Sequence, residues 1–166
     1  MLTANGQDPE VLAAFEGLYL AEGVKRASRA RDMRRQEILK LSAKELDYVD
    51  PPAVTAAFDS SLACFDKILE RRPDHTKAQV LRAGLLHMKK RDRDRTVGLL
   101  GKALQGNPQA RDVHMQLRKV SRPCTACGDT GFCRRCHGRG VRQGFLSSGR
   151  CEDCMGQGTC RRCSIL

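Results

Sequence analysis

Eight cysteines crowd the C-terminal end of this chain as four C-x2-C pairs, and no other feature limits its fold as tightly. They are Cys124 and Cys127, Cys133 and Cys136, Cys151 and Cys154, and Cys160 and Cys163. The full spacing, C-x2-C-x5-C-x2-C-x14-C-x2-C-x5-C-x2-C, reads the same in either direction. A C-x2-C turn points two thiolates at one centre. Two such turns complete the tetrahedral four-sulfur shell that suits structural zinc, so the pattern predicts two Zn²⁺ ions. Only five residues separate the first pair from the second, and likewise the third from the fourth. That leaves little chain to return to the same metal. The spacing therefore predicts a nested hairpin-like ribbon. One site takes Cys124, Cys127, Cys160 and Cys163; the other takes Cys133, Cys136, Cys151 and Cys154. The 14-residue connection after Cys136 makes the hairpin tip.

Other uses of paired cysteines fit less well. Four disulfides would suit a secreted mini-protein, but the N-terminus lacks a basic region followed by an apolar stretch. Iron–sulfur clusters also take four cysteines, although Gly-flanked knuckles are closer to a zinc ribbon. A reducing compartment is thus expected: the cytoplasm, or the plastid stroma or another reducing organelle if a targeting peptide has been removed. No apolar run approaches the roughly 18 residues that would mark a membrane span. Cys64, the one cysteine outside the pattern, lies beside an apolar helical stripe and reads as a small core residue.

Glycines follow most of the pairs. Copies two and three read in full as C-x2-C-x-G-x-G, ending Cys136-His137-Gly138-Arg139-Gly140 and Cys154-Met155-Gly156-Gln157-Gly158. Copy one carries Asp129 in place of its first glycine, and copy four ends Ser164-Ile165-Leu166 without glycines. Residues 124–166 so resemble the cysteine-rich zinc domain of DnaJ-type chaperones, a family that uses the same nested pairing. No His-Pro-Asp tripeptide is present, so the resemblance is to the DnaJ-type zinc-finger proteins without a J domain. It implies a chaperone or assembly factor; some of that family carry thiol–disulfide activity.

Upstream the pattern is helical. Asp8-Pro9-Glu10 reads as a helix start, and Val11, Phe15, Leu18 and Leu20 as one apolar side. Gly23 is expected to end or bend that helix, with a second helix running from about Val24 to Asp47. Asp50-Pro51-Pro52 starts a third, whose Val54, Phe58, Leu62, Phe65 and Leu69 recur at helical spacing. FDKILERRP, ending at Pro73, echoes LGKALQGNP, ending at Pro108. The offset of 35 residues is close to the period of tetratricopeptide repeats, which the segment from Lys77 to Pro108 resembles. Ala83-Gly84 and Ala103 supply its small packing positions, while Arg91 to Arg95 replaces the usual Gly-containing turn. Leu81, Leu85 and Met88 are expected to face Val97, Leu100 and Leu104, and a last helix to run from Gln109 to Lys119. An unrelated helical bundle is the alternative. The expected fold is therefore mainly α: a tetratricopeptide-like antiparallel helical array over residues 8–120, then a small two-zinc β-hairpin ribbon over 121–166.

The formal charge of +11 hints at an acidic partner. Two Zn²⁺ add four charges and eight thiolates remove eight, however, so the metallated chain carries +7. The Arg-rich knuckles Arg134-Arg135 and Arg161-Arg162 offset sulfur charge locally. Aromatics are only 4% of the chain, which leaves few platforms for base stacking and disfavours RNA binding. The expected role is non-enzymatic: a chaperone or assembly factor with protein clients, for which Val141, Phe145 and Leu146 near the hairpin tip are candidate contacts. A zinc-linked thiol–disulfide oxidoreductase is the alternative, followed by a nucleic-acid-binding zinc protein. His75, His87 and His114 show no carboxylate–histidine pattern that points to catalysis, and His137 adjoins a shell that four cysteines already complete.

Overall fold

Asp8 opens the first helix, its side chain accepting a hydrogen bond from Glu10 N at 2.9 Å with Pro9 in the first turn. In this computed structural model, which describes residues 8–41, 48–143 and 148–164, α1 then runs unbroken over Pro9–Lys40. The break expected at Gly23 does not occur. Gly23 is a packing position instead: a Cβ there would lie 2.6 Å from Cε1 of the fully buried Phe65 ring. Its carbonyl accepts from the Ser61 hydroxyl at 2.7 Å. The expected apolar side of α1 is also not its buried side, since Val11 and Leu18 are exposed. The buried stripe is Glu16, Gly23, Ala27, Ala30, Arg34 and Ile38, whose small residues let a second helix come close. Leu46, read as part of the second helix, lies outside the described residues.

The helix that packs on α1 is α2 (Pro52–Arg71), expected as the third, followed by α3 (Thr76–Lys90), α4 (Arg93–Gly106) and α5 (Arg111–Val120), each packed on its predecessor. Val54, Phe58, Leu62 and Phe65 of α2 share one apolar cluster with Ala27 and Ala30 of α1 and Leu85 and Leu86 of α3. Leu81 and Met88 pack against this same cluster together with Leu99 of α4, a different α4 partner from the Val97 and Leu104 that the sequence suggests. Val80 and Ala83 meet Leu100, Ala103 and Val113 in a second cluster, against which Val97 and Leu104 pack. One turn of α3 thus serves both cores because α3 is sandwiched. Cys64 is buried and its thiol lies 3.5 Å from Ser60 O. Among the described residues no helix is long and apolar enough to cross a membrane.

The gap between α3 and α4 is only Arg91-Asp92. Arg91 adopts the left-handed conformation (φ 53°) that a glycine usually supplies at a helix C-terminus. Asp92 caps α4 by accepting from Arg95 N at 3.1 Å.

After α5 the chain forms the ribbon. β1 (Val141–Gln143) pairs antiparallel with β2 (Ser148–Arg150), Val141 opposite Arg150 and Gln143 opposite Ser148. Closer to the ribbon's base, an isolated bridge joins Phe132 to Thr159.

Ribbon and helices meet through polar contacts around the C-terminal half of α1. Arg34 is buried on α1, forms a two-pronged ion pair with Asp50, and donates to Met88 O at 3.0 Å. Its guanidinium lies over the Phe58 ring at 4.4 Å and 5.9 Å from that of Phe132 in the ribbon. Arg35 donates to Gly156 O at 2.9 Å and Arg139 returns a bond to Leu41 O at 3.0 Å.

Two glycines of α1 give a controlled test of this packing. Gly17→Ala, where nothing lies within 4 Å of the new Cβ, should stabilise the fold by about 0.5–1 kcal/mol from helix propensity. Gly23→Ala makes the same propensity gain but drives a methyl into Phe65, at an overpacking cost of about 1–3 kcal/mol. Denaturant midpoints should move in opposite directions; parallel shifts would show that α1 and α2 do not pack here.

Candidate metal centres

The first three C-x2-C pairs are built into the same local turn. The chain comes back on itself after the second cysteine, with Asp129 N, Gly138 N and Gly156 N donating to the carbonyls of Cys124, Cys133 and Cys151 at 3.0, 3.3 and 3.0 Å. The reversal requires left-handed backbone just past the pair: Gly128 and Asp129 in copy one, His137 and Gly138 in copy two, and Met155 and Gly156 in copy three. Further glycines then aim a backbone N–H at a sulfur. Gly131 N donates to Cys127 Sγ at 3.4 Å, Gly140 N to Cys136 Sγ at 3.2 Å and Gly158 N to Cys154 Sγ at 3.3 Å. These donors spread negative charge that four clustered thiolates would otherwise concentrate.

Nesting of the arms brings the pairs together. Cys133 N donates to Gly158 O and Cys160 N to Gly131 O, both at 2.8 Å, while Cys151 N donates to Gly140 O at 2.9 Å. The arms approach so closely here that only glycine fits. A Cβ on Gly158 would fall 2.1 Å from Gly138 O, and one on Gly140 2.4 Å from Gly156 O.

Two groups of four sulfurs result. Cys124, Cys127, Cys160 and Cys163 form the outer one, and Cys133, Cys136, Cys151 and Cys154 the inner one. Within each, all four Sγ atoms lie within 4.8 Å of one another. Cys124 and Cys160 are 3.8 Å apart, Cys127 and Cys163 3.7 Å, Cys133 and Cys151 3.9 Å, and Cys136 and Cys154 3.7 Å. A tetrahedron with Zn–S bonds of about 2.3 Å has sulfur–sulfur edges of about 3.8 Å. The donor set therefore fits a four-coordinate thiophilic ion such as zinc, and all eight cysteines are free. Burial pushes the Cys133, Cys136, Cys160 and Cys163 thiols up. At Cys124 and Cys151 burial is the largest influence and raises the pKa, but hydrogen bonds from backbone N–H groups and neighbouring thiols together outweigh it and the thiols shift down. A divalent cation removes the conflict by holding all four sulfurs as thiolates.

The two departures from the repeat meet at one place. At copy four the Arg91 guanidinium lies 3.6 Å from Cys163 Sγ. Asp129, the residue in place of glycine in copy one, accepts from Arg91 Nη2 at 3.0 Å and pairs with Arg93. Its Oδ1 also accepts from Cys124 N at 3.3 Å, and its carbonyl takes Arg91 Nε at 3.0 Å. The α3–α4 turn thus supplies a side-chain donor to the outer centre. Sequence reading saw Arg91 only as a departure from a turn and Asp129 only as a departure from a knuckle; their contact spans 38 residues. Arg91→Met should speed release of one ion to a chelator by on the order of 10–100-fold, as outer-shell substitutions do, and leave the other unchanged. A biphasic release curve checks this. Unchanged release of both ions would exclude a role for Arg91 at the sulfur.

The remaining candidates stand apart from the sulfur groups. Val141 is half-buried on β1, whereas Phe145 and Leu146 lie outside the described residues. His75 caps α3, Nδ1 accepting from Ala78 N at 3.2 Å, and its Nε2 is 3.7 Å from Glu16. This carboxylate neighbour was not legible in the sequence. His87 is buried, and burial pulls its pKa down to about 4, so it is neutral near pH 7. His114 Nε2 lies 2.8 Å from Pro108 O.

No family model, no curated protein and no solved structure matches this chain.

Proposed function

We propose that this is a non-enzymatic zinc protein in which a two-zinc ribbon of the DnaJ cysteine-rich kind is joined to a tetratricopeptide-like helical adaptor. It acts as a chaperone or assembly factor that binds protein clients. The observation that carries the metal reading is the pair of four-sulfur groups with separations suited to tetrahedral zinc. Cys124, Cys127, Cys160 and Cys163 hold one ion; Cys133, Cys136, Cys151 and Cys154 hold the other. The ions close the shells and so replace the apolar core that so short a segment cannot build.

Client binding draws support from apolar side chains left uncovered. Val11 and Leu18 are 62% and 66% exposed and two turns apart on α1, which puts them on one face. Met155, at 48% exposure, stands on the third knuckle. A protein partner would bury both sets. The test joins elemental analysis to an aggregation assay with a heat-labile client. Two zinc ions per chain, together with suppression that weakens on Leu18→Asp, support the reading. Absence of bound transition metal overturns the metal half, and unhindered aggregation without a client complex overturns the chaperone half.

A further inference from the structure

Buried and half-buried arginines in this protein are matched to acceptors with one exception. Arg34 pairs with Asp50, Arg82 with Asp66, and Arg91 and Arg93 with Asp129. Arg35 takes Asp32 and Gly156 O, and Arg139 takes Leu41 O. Arg31 is half-buried on α1 and has no hydrogen-bond or ion-pair partner among the described residues; its Nε is sealed from solvent and unsatisfied. Asp32 acts on Arg31 electrostatically but is paired with Arg35. A sealed Nε, which Arg93 shares, meets no ligand, but the Nη groups of Arg31 are not sealed and have no partner among the described residues, which leaves charged donors free for an acceptor.

The surroundings of Arg31 say what the acceptor is. It lines a cleft of about 430 Å³ between α1, the end of α5 and the ribbon's last two knuckles. Lys119 and Arg161 line the same cleft, with Gln157 and Thr159 as neutral hydrogen-bonding groups. Among the described residues no acidic residue and no aromatic ring lines it. Lys119 spends one N–H on Ser164 O at 3.2 Å, which leaves the ammonium two more donors. Three cations around one cleft exceed what a single carboxylate balances, whereas a phosphate dianion with several acceptor oxygens matches them. Arginine suits the desolvated end of such a site because its guanidinium is weakly hydrated and forked, and lysine suits the open end as a point charge.

We propose that this cleft binds a phosphate group, free or as a monoester, with Arg31 as its half-buried anchor and Lys119 and Arg161 closing on the same anion. The cleft is roomier than one phosphate requires, so an ester can be seated with its carrier in the open part. Lack of a ring on which a base could stack sets the site apart from a single-stranded nucleic-acid track.

Isothermal titration of the full, metal-loaded chain with inorganic phosphate, phosphoserine and a uridylate dodecamer tests this, with chloride at matched ionic strength as reference. Saturable binding of phosphate or phosphoserine is expected, weakened at least tenfold by Arg31→Met and by Arg161→Gln, and unaltered by Lys77→Gln on the exposed face of α3. Tighter phosphoserine than phosphate identifies an ester as the ligand; equal affinity identifies the free ion. Arg161 is exposed, so its variant keeps the test sound even if Arg31→Met loosens the docked ribbon. The proposal is overturned by absence of saturable phosphate and phosphoserine binding, by binding that both variants leave intact, or by binding of the dodecamer alone. None of these outcomes depends on client binding, so the chaperone reading stands or falls separately.

Discussion

Stripping the metal should unfold residues 121–164 and leave the helices standing. The reason lies in where each part buries apolar surface. Among the described residues of the ribbon, the buried hydrophobic side chains are seven cysteines and nothing else. Deprived of an ion, those sulfurs form no core. Binding of a structural zinc is worth about 10–16 kcal/mol at neutral pH, and the ribbon has no other term of that size. The helices possess two apolar clusters of their own, one around Phe58 and Phe65 and one around Leu100 and Val113. On chelation, amide resonances from 121–164 should collapse to unfolded positions while helical circular dichroism persists. Cys136→Ser should do the same at the inner centre. Acid should act alike, because protons compete with the ion for thiolates; occupancy is full near neutral pH and falls as pH falls. Retention of a dispersed ribbon spectrum after complete metal loss would refute the account.

The second large effect belongs to Asp50→Ala. Arg34 and Asp50 have side chains only 8% and 12% exposed, and the pair joins α1 to the chain entering α2 beside Met88 of α3 and Phe132 of the ribbon. Removing one member strands a buried guanidinium, which costs about 3–5 kcal/mol. For a chain of this size that corresponds to a fall in Tm on the order of 10 °C. Arg34→Met in the same background should recover most of the loss, because an apolar pair of similar volume avoids desolvating charge. The thermal shift of the two variants checks both halves. A double variant no better than Asp50→Ala would show that the pair acts through its geometry and not its charge.

Local order was readable where it depended on neighbours in sequence. Asp8 capping α1, the proline start of α2, and the Val54 to Phe65 stripe are set within one or two helical turns. The knuckles are legible for the same reason, since two cysteines and the glycines behind them fall within eight residues in copies two and three. Misreadings occurred where a distant residue decided. Gly23 looked like a terminator, but Phe65 makes it a contact point and the surrounding helix-forming residues carry α1 through it. Leu81 and Met88 looked turned toward Val97 and Leu104, yet they join the first cluster with Leu99, while Val97 and Leu104 pack on the second.

The cysteine spacing by itself pointed to nested arms, because five-residue connections leave little chain for adjacent pairs to share an ion. Only the tertiary structure decided what completes the outer centre and what holds the ribbon in place. Arg91 meets Cys163 across 72 residues, and Arg35 meets Gly156 across 121. Contacts of that range depend on how five helices stack, a property of packing that no spacing within the chain encodes locally.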